Sequence, residues 1–252
     1  MRAVATGCIC HLGFAIDGGA SHAHTCQTAQ EVVLEFDIGY FDALVKRTPG
    51  LRQFRHRLLA WELGQDLYDG GRETGYGGFH YDGRCMLIPK LAERYGLSGS
   101  SAVLDLGCKK GFFLHDLKQK YPGITARGIE NHPYPVEHGL DDVRGDISIG
   151  DFTALPFGDG EFDFVLAFSS IYMLNLGDVV KTLREIQRVG KGRSYITCGA
   201  YRTPEEREVF ARWTLLGTTV LHVDEWRELF DYAGYTGDFY FTTANSLNLV
   251  AV

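Results

Sequence analysis

The chain reads as an α/β protein, strands and helices alternating around a mostly parallel sheet, and three stretches carry that reading. The first, SAVLDLGCKKGFF at 101–113, is an apolar run entering an acid, a glycine-bearing turn and an apolar helix start. Val103, Leu104 and Leu106 suit a strand buried on both faces, while Gly107 and Gly111 let the backbone turn tightly without side-chain obstruction. The second, ITARGIE at 124–130, is a short strand ending in an acid 19 residues after Gly111 (130 minus 111). The third, GDFTALPFGDGEFDFVLAFSSIYML at 150–174, supplies an acidic loop, a Leu-Pro-Phe turn and a strand over 162–168.

The other elements follow in order. Residues 1–38 read as an irregular arm, its first 30 residues rich in Gly, Ala, Cys and His without periodicity. Cys8, Cys10, His11, His22, His24 and Cys26 are metal-ligating types, but Cys-x-Cys and His-x-His lack the Cys-x-x-Cys turn, and no bound metal is expected. Residues 39–85 read as a helical cap and lid. Phe41, Leu44, Val45, Leu51, Phe54, Leu58, Leu59 and Trp61 predict two helices broken at Pro49 and Gly50. The stretch at 68–84, YDGGRETGYGGFHYDGR, is rich in glycine, aromatics and charge, a composition suited to a loop that closes over a ligand. Residues 86–252 form the core. A helix over 86–95 leads into the first core strand, a strand is expected over 192–201 and amphipathic helices over 205–216 and 225–233. Residues 235–242 and 247–252 are expected to close the sheet as a hairpin.

Composition narrows the partners. At 252 residues, 45 % hydrophobic and with a formal charge of −7, the chain suits a globular core and repels polyphosphate backbones, so nucleic acid is not expected as substrate. No apolar run spans a bilayer and no signal-type apolar core opens the sequence, so a cytoplasmic protein without membrane contact is expected. Cys108 and Cys198 fall in or beside core strands and are expected to be reduced. A Gly-x-x-x-Gly turn after an acid lacks the Gly-x-Gly-x-x-Gly that accommodates a dinucleotide pyrophosphate, which argues against a nicotinamide dehydrogenase.

With DLGCKKG, GIE, DFTALPF and FDFVLAFS in that order, residues 86–252 resemble the class I S-adenosylmethionine-dependent methyltransferases. The resemblance implies a Rossmann-like, seven-stranded, mostly parallel sheet with helices on both faces and an antiparallel last strand, plus the N-terminal helical cap. It implies S-adenosylmethionine as cofactor and S-adenosylhomocysteine as product. Carried over, Asp105, Gly107, Cys108, Gly111 and Phe112 face the methionine half, Glu130 holds the ribose, and Asp151 with Phe152 flanks the adenine. The backbone at Phe168 and Ser169 lies beneath the sulfonium. The turn departs from the family in carrying Lys109 where a small residue is usual; its side chain is expected to point away, since leaning inward it would crowd the site or meet the cofactor's carboxylate.

Methyl transfer is an in-line displacement, so acceptor residues belong at the carboxyl ends of the strands and in the loops above them. His222 and His80 are the candidate general bases and Tyr172 a candidate hydrogen-bonding group, each set against a capping or packing role. Tyr76, Tyr81, Arg84, Tyr201 and Arg202 are candidate substrate contacts, the tyrosines through aromatic bodies with polar tips, the arginines through bidentate pairing with an anionic group. ETGYGGFHYDGR, GKGRSYITCGAYRTPEE and HVDEWRELFDYAGYTGD are similar to bacterial methyltransferases of surface-glycan or small-molecule biosynthetic clusters. That similarity implies an oxygen or nitrogen acceptor on a sugar-like or amino-acid-like metabolite, and a homodimer is compatible with it. The alternative, motivated by Lys109, is a binding or regulatory protein that keeps the fold with weakened catalysis.

Overall fold

The computed structural model describes residues 29–33, 54–83 and 87–249. The Cys and His residues of the arm, the helix break at Pro49 and Gly50, and Arg84 lie outside the described residues. The chain builds β1 (Gln30–Glu31), α1 (Phe54–Trp61), α2 (Gln65–Tyr68), α3 (Arg72–Gly75) and α4 (Leu87–Tyr95), then β2 (Ala102–Leu106), α5 (Phe112–Lys120), β3 (Thr125–Glu130), α6 (Pro133–Glu137), β4 (Ile147–Ile149) and β5 (Phe164–Ala167). It continues through α7 (Leu176–Val189), β6 (Ser194–Tyr201), α8 (Pro204–Trp213), β7 (Leu221–His222), α9 (Val223–Ala233) and β8 (Asp238–Thr242).

The strands line up as β1-β8-β6-β5-β2-β3-β4, with short β7 also pairing β6. Val103, Leu104, Phe164, Val165 and Ile196 are fully buried, as strands covered by helices on both faces require. α4 and α7 each present a buried apolar stripe, Leu87, Ile88 and Leu91 on one and Val179, Leu183 and Ile186 on the other, which is the helical spacing of a face laid on a sheet. α4 contacts α5 and α7 contacts α9, so the helices form two groups around the sheet.

The antiparallel last strand is expected within 247–252, of which 250–252 lie outside the described residues; every described pairing is parallel, including β6 with β8, where Tyr195 faces Asp238 and Cys198 faces Phe241. α9 intervenes between them and carries the chain back to the starting end of the sheet, so the strand after it runs in the same direction. Of the expected second hairpin strand, the described residues 247–249 are not strand. Thr243 and Ser246 bond to each other's backbone and Leu249 N–H donates to Ala244 O, coiling 243–249 into turns where the second hairpin strand was expected to begin. The N-terminal β1 takes the sheet edge, with Val32 N–H on Phe239 O and Tyr195 Oη–H on Val32 O.

The lid at 68–83 contains α3 and is tied down at several points. Phe79 N–H donates to Tyr68 O at 2.7 Å, and Leu215 N–H donates to Tyr76 Oη at 2.7 Å. Buried Lys110 pairs with Asp69, which also accepts from Tyr134 Oη at 3.0 Å. In α1 the apolar positions Phe54 and Leu58 face outward, and Trp61 at its end reaches the cleft beneath the lid.

Candidate active site

β2 delivers Asp105, fully enclosed at the carboxyl end of the strand, into the turn 107–111. At Gly107 (φ 80°) a Cβ would lie 2.5 Å from Ser170 Cβ, and at Gly111 (φ 78°) one would lie 2.8 Å from Val143, so glycine is needed for both conformation and space. Gly107 N–H and Cys108 N–H both reach Ile129 O, at 2.8 and 3.3 Å, docking the turn on the end of β3. Glu130, the last residue of β3, accepts Lys109 N–H at 2.8 Å on one oxygen and Asn131 N–H at 2.9 Å on the other. A carboxylate has about four lone-pair sites, which leaves capacity for ligand hydroxyls.

Lys109 leans inward, correcting the expectation that it points away. Its backbone is left-handed (φ 52°), and its Nζ donates to Gly107 O at 3.3 Å and Phe168 O at 3.2 Å inside the cleft. Burial pushes the Asp105 carboxyl up to about 7; Lys109 opposes that shift and Glu130 adds to it. Burial likewise raises Glu130 against the pull of Lys109 and the two backbone N–H groups. For Lys109, burial lowers the ammonium's pKa while Glu130 and Asp105 resist.

The cleft, about 620 Å³ including its open mouth, has this turn as its floor. Gly107, Lys109, Glu130, Asn131, Phe152, Ser169 and Ser170 line it from the core. Ser169 is held in a left-handed conformation (φ 52°) with its N–H on Thr197 Oγ1 at 2.7 Å, and Ser170 Oγ–H donates to Leu106 O at 2.8 Å. Trp61, Leu63, Leu67, Tyr68, Tyr76 and Phe79 roof it from the cap and lid, and Met173, Leu174 and Leu216 close one side.

Other expected site residues sit around the floor. Cys108 is a buried free thiol beneath the turn, packed toward Gly128, and Cys198 is buried and free in β6. Phe112 opens α5, and the Phe168 carbonyl is the acceptor already described. Asp151 is exposed and accepts from Thr153 N–H and Oγ1–H, both at 2.8 Å, a local turn that presents Phe152 to the cleft.

The expected acceptor residues divide more sharply. Tyr76 lines the cleft, its ring 5.3 Å from Trp213. Tyr172 is buried against Gly199 and Phe210, serving the core. His222 caps α9: its Nδ1 accepts Asp224 N–H at 3.3 Å, its Nε2 lies 3.3 Å from Arg202 O, and its N–H donates to Glu225 in a capping box. Both ring nitrogens are thereby engaged in structure. His80 is exposed on the lid beside Gly78. Tyr81 donates to Asp116 at 2.6 Å and packs on Phe112 and His115 over α5. Arg202 pairs with Glu31 at 3.3 Å, and Tyr201 meets His222 edge-on, so both are engaged at the carboxyl end of β6 and neither lines the cleft. The roof residues Trp61, Leu67, Tyr68 and Phe79, with Met173, Leu174 and Leu216, were not singled out as site residues. The helical cap held Trp61 and the aromatic run of the lid held Tyr68 and Phe79; the others carry no local signal beyond apolarity.

Residues 104–198 match the family described as a methyltransferase domain. A demethylmenaquinone methyltransferase of Roseiflexus castenholzii is 29 % identical over 115 residues, covering 44 % of this chain and 48 % of that protein. The ubiquinone/menaquinone biosynthesis C-methyltransferase UbiE of a Geobacter species is 30 % identical over 120 residues, covering 44 % and 50 %. The chain thus spans about half the length of these relatives. Among solved structures, the [4+2]-cyclase SpnF is 24 % identical with a TM-score of 0.48, over 62 % of this chain and 60 % of that one. The glycine turn after β2, the acid ending β3 and strand β5 all lie within the residues that are similar to a methyltransferase domain.

Proposed function

We propose that the protein binds S-adenosylmethionine over the β2, β3 and β5 ends and transfers its methyl group to a carbon of an apolar small molecule. When bound, S-adenosylmethionine supplies an electrophilic methyl group on a cationic sulfur. The floor suits such a ligand. Two buried carboxyls and two inward carbonyls, those of Gly107 and Phe168, favour positive charge, and Gly107 leaves no room for a side chain where a ligand would rest. Glu130 would take the ribose hydroxyls on its remaining lone pairs, Phe152 would pack on the adenine, and Ser169 with Phe168 would lie beneath the sulfur.

The observation that carries the acceptor class is the roof. Trp61, Leu67, Tyr68, Phe79, Met173 and Leu216 would strip water from an acceptor without replacing its hydrogen bonds, which penalises a sugar and favours an apolar molecule. Among the described lining residues Glu130 is the sole carboxylate and there is no imidazole. Burial raises the Tyr68 phenol, with Glu130 and Cys108 adding to it, so Tyr68 stays protonated and acts as a donor. Orientation in a dry cleft then does the chemistry: an electron-rich carbon forms its bond to the methyl as the S–C bond breaks, and its proton leaves to water only afterwards, so no base is needed as it attacks. The printed names of two relatives, a ubiquinone/menaquinone biosynthesis C-methyltransferase and a cycloartenol-C-24-methyltransferase of Oryza sativa, support the same acceptor atom. Lys109 in the floor favours a second reading, a protein of this fold in which transfer is weakened.

The test is incubation with S-adenosylmethionine labelled at the methyl carbon and a panel of an electron-rich phenol, a sterol-like alkene, a free sugar and an amino acid, read by carbon NMR. A new carbon-bound methyl on an apolar member is expected. A methyl ether or methylamine on the sugar or amino acid would overturn the acceptor assignment. Cofactor binding without transfer to any member would favour the second reading.

A further inference from the structure

Lys109 places a charged group inside the cleft, on the glycine turn that floors it. Three observations converge on it: a left-handed backbone (φ 52°) at a residue other than glycine, an ammonium donating to the carbonyls of Gly107 and Phe168, and two buried acids, Asp105 and Glu130, in its field. The side chain therefore occupies a seat built for a cation. It supplies, from within the chain, the positive charge that the buried acids attract.

Resting on the cofactor reading above, we propose that Lys109 is a specificity-determining residue that disfavours the cationic sulfonium cofactor relative to its neutral thioether product. S-adenosylmethionine carries a sulfonium, an ammonium and a carboxylate, and S-adenosylhomocysteine lacks the sulfonium charge. Both must compete with the Lys109 side chain for space and carbonyls, but only the sulfonium adds a further like charge in a low-dielectric cleft. The penalty falls on substrate cofactor more than on product. In wild type the site consequently retains product and loads cofactor poorly, so net turnover depends on moving Lys109 aside.

Calorimetric titration of both ligands into wild type, Lys109→Met and Lys109→Gly separates charge from bulk. Methionine keeps the length and removes the charge; glycine removes both and suits the backbone. The ratio of the S-adenosylmethionine Kd to the S-adenosylhomocysteine Kd is expected to fall about tenfold or more in both variants. Retained thioether binding by the variants shows that they are folded. A ratio unchanged in Lys109→Met overturns this assignment alone, as does an equal loss of both ligands, which would make Lys109 a ligand-holding group. Failure of wild type and both variants to bind either ligand, with thermal unfolding still cooperative, would sink the cofactor reading and this inference with it.

Discussion

Asp105 shows what a functional position costs the fold. Its carboxyl is buried, and the folded protein keeps it protonated up to about 7, largely because burial disfavours the charge. The unfolded chain ionises it near 4. Folding takes up a proton between those values, so stability falls as pH rises through that window and levels off above it. Asp105→Asn removes the ionisable group while keeping its shape. Relative to wild type, its Tm is expected to rise by several degrees between about pH 5 and pH 8, while S-adenosylmethionine binding weakens; scanning calorimetry at both pH values checks this. A difference between variant and wild type that does not change with pH would show that Asp105 is not the titrating group. At this scale the site was partly legible. Gly107 and Glu130 were readable because turn chemistry is local, and an acid ending a strand has few other uses; Phe152 came only with the family resemblance. Met173, Leu174 and Leu216 were not, because an ordinary apolar residue becomes a cleft wall only through tertiary packing. His222 resembled a base because an imidazole beside Asp224 and Glu225 suits either a base or a cap, and the backbone geometry chose the cap.

Among the elements, the lid and the glycine turn are joined through one ion pair. Asp69 ends α2, and its partner Lys110 belongs to the turn itself, so closing the lid and shaping the floor are coupled. Burial raises the Asp69 carboxyl, but the Lys110 hydrogen bond and charge, with help from Tyr134, outweigh it and hold the group below its ordinary range. Stability from this clamp is present above the unfolded value near 4 and is lost as pH falls through the lower folded value. Asp69→Ala should leave Lys110 buried without this partner. Amide exchange over 65–79 is expected to quicken about tenfold at neutral pH, with little change in the strands; hydrogen-exchange mass spectrometry reads it. Wild-type exchange, corrected for intrinsic rates, should stay flat down to about pH 4. Equal exchange in variant and wild type would mean that the aromatic packing of Tyr68, Phe79 and Tyr134 and the lid's other hydrogen bonds hold it without the ion pair. β2, β3 and β5 were legible as apolar runs bounded by acids and turns. The direction of β8 was not, because a strand's alternation reports its faces, and direction depends on the helix that precedes it.

Across the whole molecule, the half of the sheet that carries no motif supports the half that does. Trp226 on α9 is fully buried, donates Nε1–H to Gly199 O on β6 at 3.0 Å, and packs on Phe230, which in turn meets Phe239 on β8. Two residues before Gly199, Thr197 fixes Ser169 in the cleft. A load path therefore runs from α9 through β6 to the cofactor floor, and damage at one end should be felt at the other. The far edge is held differently. Glu31 on β1 pairs with Arg202 and Arg227 near solvent, at 3.3 and 3.2 Å, and such pairs contribute little. Trp226→Ala is expected to cost about 3–5 kcal/mol, from the lost burial and the cavity it leaves. Glu31→Ala should cost about 1 kcal/mol or less. Urea unfolding of both variants, with S-adenosylhomocysteine titrated under native conditions, decides the matter. The expected pattern is a large midpoint shift and weakened binding for the first, and a small shift with unchanged binding for the second. If Trp226→Ala loses stability yet binds the thioether as wild type does, Ser169 is positioned by β5 and the turn alone, and α9 serves only to cover the sheet.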